Sequence, residues 1–153
     1  MLNLHRILVT TDFSEYSKDA FDYSVQLAQT SGADLYVLHV FEASAFRSIP
    51  EFLPMIDKVQ KEESQKLGDL AARVARENGI RVHPLFREGV PFHQILKTAR
   101  EVPADLIVLA THGRTGLAHV LIGSVAERVV REASCPVFVV RPKSLSRAES
   151  EKG

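Results

Sequence analysis

Apolar residues fall into five short runs, and between the runs they recur three and four positions apart. The runs are Ile7-Leu8-Val9, Leu35 to Val40, Ile80 to Phe86, Leu106-Ile107-Val108-Leu109 and Val137-Phe138-Val139-Val140. Brevity and β-branching predict strands for all five. After the first run, Ser17, Ala20, Phe21, Ser24, Leu27 and Ala28 share one helical face, with Ser14 as the candidate cap, Glu15 in the first turn and Gly32 as the stop. Ile56 to Asn78 repeats the pattern through Leu67, Leu70, Ala71 and Val74, and Gly79 follows. Pro91 opens a third helix that buries Phe92, Ile95, Leu96 and Ala99 and stops at Pro103. Ser124 to Ala133 is a fourth, with Val125, Ala126, Val129 and Val130 inward. Only Phe41 to Pro54 lacks a period; it reads as a loop with room for a short helix, whose Phe46 and Phe52 cover a pocket, meet a partner or pack loosely on the domain.

Strands alternating with helices over short loops specify an α/β fold: a parallel sheet with helices on both faces. The fourth run is continuously apolar, as suits a strand covered on both sides. The third contains Pro84, which places it at an edge. Ligands of such folds sit beyond the carboxyl ends of the strands, where strand order reverses. Three of those ends carry small or polar groups: Thr10-Thr11-Asp12, the region after Val40, and Ala110 to Gly116.

The last of these has the clearest chemistry. A strand runs into Ala110-Thr111-His112-Gly113-Arg114-Thr115-Gly116, and Gly123-Ser124 then starts a helix. Taken singly, Gly113 and Gly116 serve turns and Ser124 caps a helix. Together, glycines that let backbone amides approach a ligand and a helix start with unpaired N–H groups form an anion site, pointing to a nucleotide phosphate. Asp12 is the one well-placed carboxylate. It can accept from a base or ribose, help hold a divalent ion beside phosphates, or cap the first helix with Ser14. His39 is either a pocket wall or a hydrogen-bonded structural histidine. His112 either contacts phosphate or a partner, or stabilises its own loop.

Other chemistries fail on specifics. No GxGxxG follows the first strand, and no GxxxxGK[ST] occurs; Arg114, the basic residue nearest the glycines, is not a Walker lysine. A phosphoacceptor receiver domain needs an aspartate after the third strand and a lysine after the fifth, where this chain has Phe86-Arg87-Glu88 and Arg141-Pro142. The six histidines lack metal-ligand spacing with cysteine or carboxylate. No Ser-His-Asp order or paired carboxylates can be defended, so no catalytic residue is assigned. Cys135, before Pro136, reads as a buried small hydrophobe.

Composition narrows the setting. The 153 residues suit one domain, 1–142, with a flexible polar tail over 143–153. Nineteen basic residues balance nineteen acidic ones, so there is no electrostatic footprint for nucleic acid or an anionic membrane. One cysteine and no evident signal peptide or span make cytoplasmic the expected location.

The chain resembles a universal stress protein domain of the UspA type. The resemblance runs from Arg6 to Val140. It rests on Ile7-Leu8-Val9-Thr10-Thr11-Asp12-Phe13-Ser14, Gly89-Val90-Pro91, Ala110 to Gly116, Leu121-Ile122-Gly123-Ser124-Val125-Ala126-Glu127 and Cys135-Pro136-Val137-Phe138-Val139-Val140. It implies a three-layer αβα open sandwich of the adenine-nucleotide alpha-hydrolase-like kind, with a five-stranded parallel sheet in the order 3-2-1-4-5. It also implies a homodimer joined through the fifth strand, Val137 to Val140, which would relieve an exposed apolar edge. ATP-binding members carry glycine, two residues, glycine, nine residues, then glycine and serine or threonine. Gly113, Gly123 and Ser124 match, whereas Ala110 stands at the first glycine.

The expected nucleotide-binding set is therefore Thr10, Thr11, Asp12, Val40, Ala110, His112, Gly113, Arg114, Gly116, Gly123, Ser124 and Val125. The expected ligand is ATP, or another adenine nucleotide, with Mg2+ beside Asp12. Expected function is a nucleotide-dependent stress regulator or sensor, with slow hydrolysis at most. In that role nucleotide orders residues 113–122 and so changes dimer or regulatory-partner contacts. The alternative is a homodimeric interaction protein of the same fold that uses no nucleotide.

Overall fold

The computed structural model describes residues 3–113 and 122–143. In chain order these form β1 (Arg6–Thr10), α1 (Glu15–Ser31), β2 (Asp34–Phe41), α2 (Ser44–Arg47), a 3-10 turn (Pro50–Phe52), α3 (Leu53–Asn78), β3 (Val82–Glu88), α4 (Pro91–Glu101), β4 (Leu106–Ala110), α5 (Ser124–Glu132) and β5 (Val137–Val140). All five strands are parallel, in the order β3-β2-β1-β4-β5. The chain works outward from β1 to one edge, then returns to build β4 and β5 on β1's other side. The order therefore reverses between β1 and β4, the place where a crevice opens at the strand ends.

Period-two alternation divides the core. Ile7, Val9, Leu35, Val37 and Val108 face α1 and α3, meeting Ala20, Phe21, Ala28, Leu67 and Val74. Leu8, Leu38, Ile107 and Leu109 face α4 and α5, meeting Ile95, Leu96, Ala99, Ala126 and Val129. Ile7, Leu8 and Val9 are all fully buried, which is why β1 reads as an unbroken apolar run. Each such side chain contributes about 2 kcal/mol through removal from water. At the opposite end of the sheet the Asp105 carboxylate accepts the amides of His5 at 2.9 Å and Arg6 at 2.8 Å, fastening the start of β1 to the approach to β4.

Several boundaries differ from the sequence reading. β3 starts at Val82, and its exposed Pro84 lies on an edge strand as expected. The long helix starts at Leu53, because Pro54 fits the first turn, where its missing N–H costs nothing. The aperiodic stretch holds α2 and the 3-10 turn, with Phe46 and Phe52 exposed and in edge-on contact with each other. α1 and α3 end at Gly32 and Gly79, whose φ of 73° and 63° is the left-handed cap that glycine tolerates best.

Two expected caps are corrected. Ser14 occupies the N-cap of α1, but its hydroxyl donates to the Asp12 carboxylate instead of capping the helix. Ser124 is the first helical residue of α5, and the N-cap is Gly123, which has no side chain to offer. Among the described residues no helix is long and apolar enough to cross a membrane.

Candidate functional site

The carboxyl ends of β1, β2 and β4 open into a cavity of about 940 Å³, within the range of small-molecule sites. Thr10, Thr11, Asp12, Val40, Ala110, His112, Gly113, Gly123, Ser124 and Val125 all line it. Ten positions expected from the strand ends and from the family resemblance thus line one space. Arg114 and Gly116, together with most of the segment expected to order on binding, lie outside the described residues. A shallower depression between α1 and α3, about 800 Å³, has a floor of Phe21, Val25 and Val74 and lies along the helices, away from most of the strand ends.

One wall is built by the ends of β4 and β5 and the start of α5. The Thr111 amide donates to the Val140 carbonyl at 2.9 Å, and the Thr111 carbonyl accepts the Gly123 amide at 2.6 Å. That second bond clamps the helix start against the strand end. A Cβ on Gly123 would lie 2.8 Å from the same Thr111 oxygen, so only glycine fits without a backbone shift. Glu127 donates to the Gly123 carbonyl, closing the first turn. The amides of Ser124, Val125 and Ala126 precede that bond and have no intrahelical acceptor. All three residues line the cavity.

The facing wall is the loop after β1. Asp12 Oδ1 accepts the Ser14 amide at 2.9 Å as well as its hydroxyl. The other oxygen, Oδ2, lies 3.1 Å from where a Cβ on Gly113 would be. The two walls therefore touch, and Gly113 provides the room for the carboxylate. Asp12 is thus both a turn anchor before α1 and a carboxylate on the cavity wall.

Both histidines lie in this cavity and are buried. His39 Nδ1 is 2.8 Å from the Thr11 carbonyl and Nε2 is 2.7 Å from Glu63. It is a pocket wall and a hydrogen-bonded structural histidine at once. His112 Nδ1 meets its neighbour's Thr111 Oγ1 at 2.9 Å, a bond within the loop.

The third wall is apolar: Val59 from α3, then Val90, Pro91, Phe92 and Ile95 from the start of α4. Glu42 and Glu63 join Asp12 as acidic lining, and among the described lining residues there is no lysine or arginine. Glu63 was missed by sequence reading, since nothing on the polar side of a 26-residue helix marks one glutamate for the interior. Arg47 was missed as well. It pairs with both oxygens of Glu88, tying α2 to the end of β3, and holds the Glu88 carboxyl below its ordinary range.

No three His, Cys, Asp or Glu groups among the described residues could hold a metal by themselves. One carboxylate suits Mg2+ only when phosphates and waters supply the remaining ligands, and on the loop after β1 the lining carboxylate is Asp12. Cys135 is half-buried rather than buried, and burial, with the Asp105 charge, pushes its thiol up and away from thiolate chemistry.

Residues 3–141 match the Universal stress protein family. A universal stress protein of Methanocaldococcus jannaschii is 38% identical over 142 residues, covering 91% of this chain and 84% of its own length. The universal stress protein UspA from Lactobacillus plantarum superposes with a TM-score of 0.79 at 29% identity, covering 91% of this chain and 99% of its own. A universal stress protein solved in complex with cAMP superposes at 0.66 with 26% identity, covering 92% and 98%.

Proposed function

The chain belongs to the universal stress protein family, and on that premise we propose that its cavity binds an adenine nucleotide, ATP with Mg2+, and that occupancy regulates the protein's contacts. The observation that carries this is the convergence of Asp12, Val40 and the Gly113 to Gly123-Ser124 loop ends on one cavity. Val40, Val90, Phe92 and Ile95 offer the apolar walls a flat base requires. Asp12 accepts from ribose hydroxyls or helps hold Mg2+. The first-turn amides of Ser124 and Val125, with the positive end of the α5 dipole behind them, receive phosphate oxygens. The relative solved with cAMP supports an adenine ligand of this general kind.

Ala110 agrees with this reading. It is half-buried, packs on the core between the sheet and α1 and α3, and lines the cavity, and alanine in place of glycine removes no backbone donor. The three acidic lining groups disfavour a bare polyphosphate, so ATP is expected to bind more tightly with Mg2+ than without it. Calorimetry with ATP, AMP and cAMP, each with and without Mg2+, tests the proposal. A saturable heat is expected. Its absence for all three nucleotides at millimolar concentration would leave the interaction-protein alternative in place.

We also propose a homodimer through β5. Two exposed apolar side chains meet at that edge, Tyr23 of α1 (40% exposed) and Phe138 of β5 (40%), and Val130 of α5, expected inward from the helical pattern, is exposed as well (49%). The Tyr23 and Phe138 rings meet edge-on at 6.0 Å. An open β-edge with apolar flanks is a surface that pairs with its own copy. Phe138→Glu is expected to shift the sedimentation coefficient from dimer to monomer while leaving the far-UV spectrum unchanged. A wild-type protein that sediments as a monomer would rule the dimer out.

A further inference from the structure

We infer that His39 is a positioning residue of this site: through the Thr11 carbonyl it fixes the loop that presents Asp12 to the cavity. The ligand in this inference rests on the nucleotide reading, whereas the mechanism rests on the geometry of the loop.

The parallel ladder ends at Thr11, whose amide donates to Leu38 at 2.9 Å. Its carbonyl lies past the last paired residue of β1 and is met by a side chain, His39 Nδ1, at 2.8 Å. A carbonyl can only accept, so Nδ1 carries the proton and donates it. The next residues then turn sharply. The Phe13 amide donates to Thr11 Oγ1 at 3.1 Å and the Ser14 amide to Asp12 Oδ1 at 2.9 Å.

Phe13 has φ of 63°, a left-handed backbone that an aromatic residue rarely adopts. Such a conformation persists only where the surroundings over-determine it. Here the Phe13 ring lies against the His39 ring, centroids 4.6 Å apart, and the Lys66 ammonium sits over the Phe13 ring, 4.7 Å from its centroid. His39 thus holds the loop twice, through its donated bond and through its ring.

His39 is held in turn. Phe86 lies 5.6 Å away, centroid to centroid, and Glu63 of α3 meets Nε2 at 2.7 Å. With Nδ1 committed to the carbonyl, the ring cannot flip without losing both bonds. A line of contact therefore runs from α3 through β2 to the residue before Asp12. Packing alone would not require a histidine, since a phenylalanine or leucine would fill the space without meeting the Thr11 carbonyl.

Two substitutions separate positioning from mere support. In His39→Asn the side-chain amide falls near the place of Nδ1, keeping the bond to Thr11 and dropping Glu63. His39→Gln reaches towards Glu63 and drops Thr11. Both give up one buried hydrogen bond and the ring packing, so both should lose similar stability. Calorimetry with Mg-ATP and with AMP should then divide them: Asn within about twofold of wild type, Gln about tenfold or more weaker. In the ligand-free protein, amide exchange of Phe13 and Ser14 should be faster in the Gln variant than in the Asn variant.

Equal affinities and equal amide protection in the two variants would overturn the inference. A divided amide protection with no nucleotide heat even in the wild type would uphold His39 as the loop's anchor and overturn the nucleotide reading instead.

Discussion

Valine in place of Gly123 is expected to weaken adenine-nucleotide binding by about a hundredfold or more, some 2.7 kcal/mol, and to destabilise the fold by about 1–3 kcal/mol. The added Cβ would sit 2.8 Å from the Thr111 carbonyl oxygen, and that oxygen also accepts the Gly123 amide at 2.6 Å. Both partners are backbone, so neither can swing aside as a side chain would. Relief requires the start of α5 to withdraw from the end of β4, which moves the Ser124 and Val125 amides from their place on the cavity wall. Gly68→Ala is the control. Nothing lies within 4 Å of a Cβ at that position in α3, and alanine there should stabilise by about 0.5–1 kcal/mol through lower backbone entropy in the unfolded chain. Calorimetry and thermal melts on the pair test this. Unaltered nucleotide affinity in Gly123→Val would mean that the α5 start contributes nothing to the ligand.

Replacing Asp105 with alanine is expected to lower stability at neutral pH by about 1–2 kcal/mol, allowing for its partial exposure to water. For a domain of this size that is a fall in Tm of several degrees. The carboxylate accepts the His5 and Arg6 amides, and the His5 bond is the main reason its pKa lies below the ordinary value. A pKa lowered by folding contributes stability that is complete above the unfolded value, about 4, and that is lost as pH falls through the folded value. The difference between wild type and Asp105→Ala should therefore be constant from pH 7 to about pH 5 and shrink below pH 4. Asp34 is lowered mainly by its bond to His83, with Arg81 assisting, and Glu88 by Arg47, so the wild type should lose stability over the same acid range. A difference between the two proteins that stays constant down to pH 3 would refute the assignment.

Local pattern made most of the fold readable. The buried runs Ile7-Leu8-Val9 and Ile107-Val108-Leu109 admit a covered strand and little else, and helix stops at Gly32 and Gly79 are left-handed caps. The site was readable where chemistry is local to a turn: Thr10 to Asp12, and Gly113 with Gly123-Ser124, are strand-end and helix-start residues. Ser14 and Ser124 were misassigned as side-chain caps because a hydroxyl at a helix start has several acceptors and donors within reach. In this fold Asp12 takes the Ser14 hydroxyl, and the Thr111 carbonyl draws Gly123 into the cap position.

Residue order along the chain specifies the alternation of elements, the two-sided burial of the central strands and the small, polar strand ends on which a ligand site could form. These follow from periodicity and from residues only a few positions apart. The tertiary structure alone decided what depends on distant residues meeting. Glu63 turns inward to His39 from 24 residues away, Arg47 closes on Glu88 across 41, and Asp105 fastens His5 from 100 away. Gly123 is required because a carbonyl twelve residues earlier, at Thr111, passes within 2.8 Å of its missing side chain. No local propensity encodes such contacts, because their free energy comes from two groups desolvated together, and the sheet order determines which groups those are.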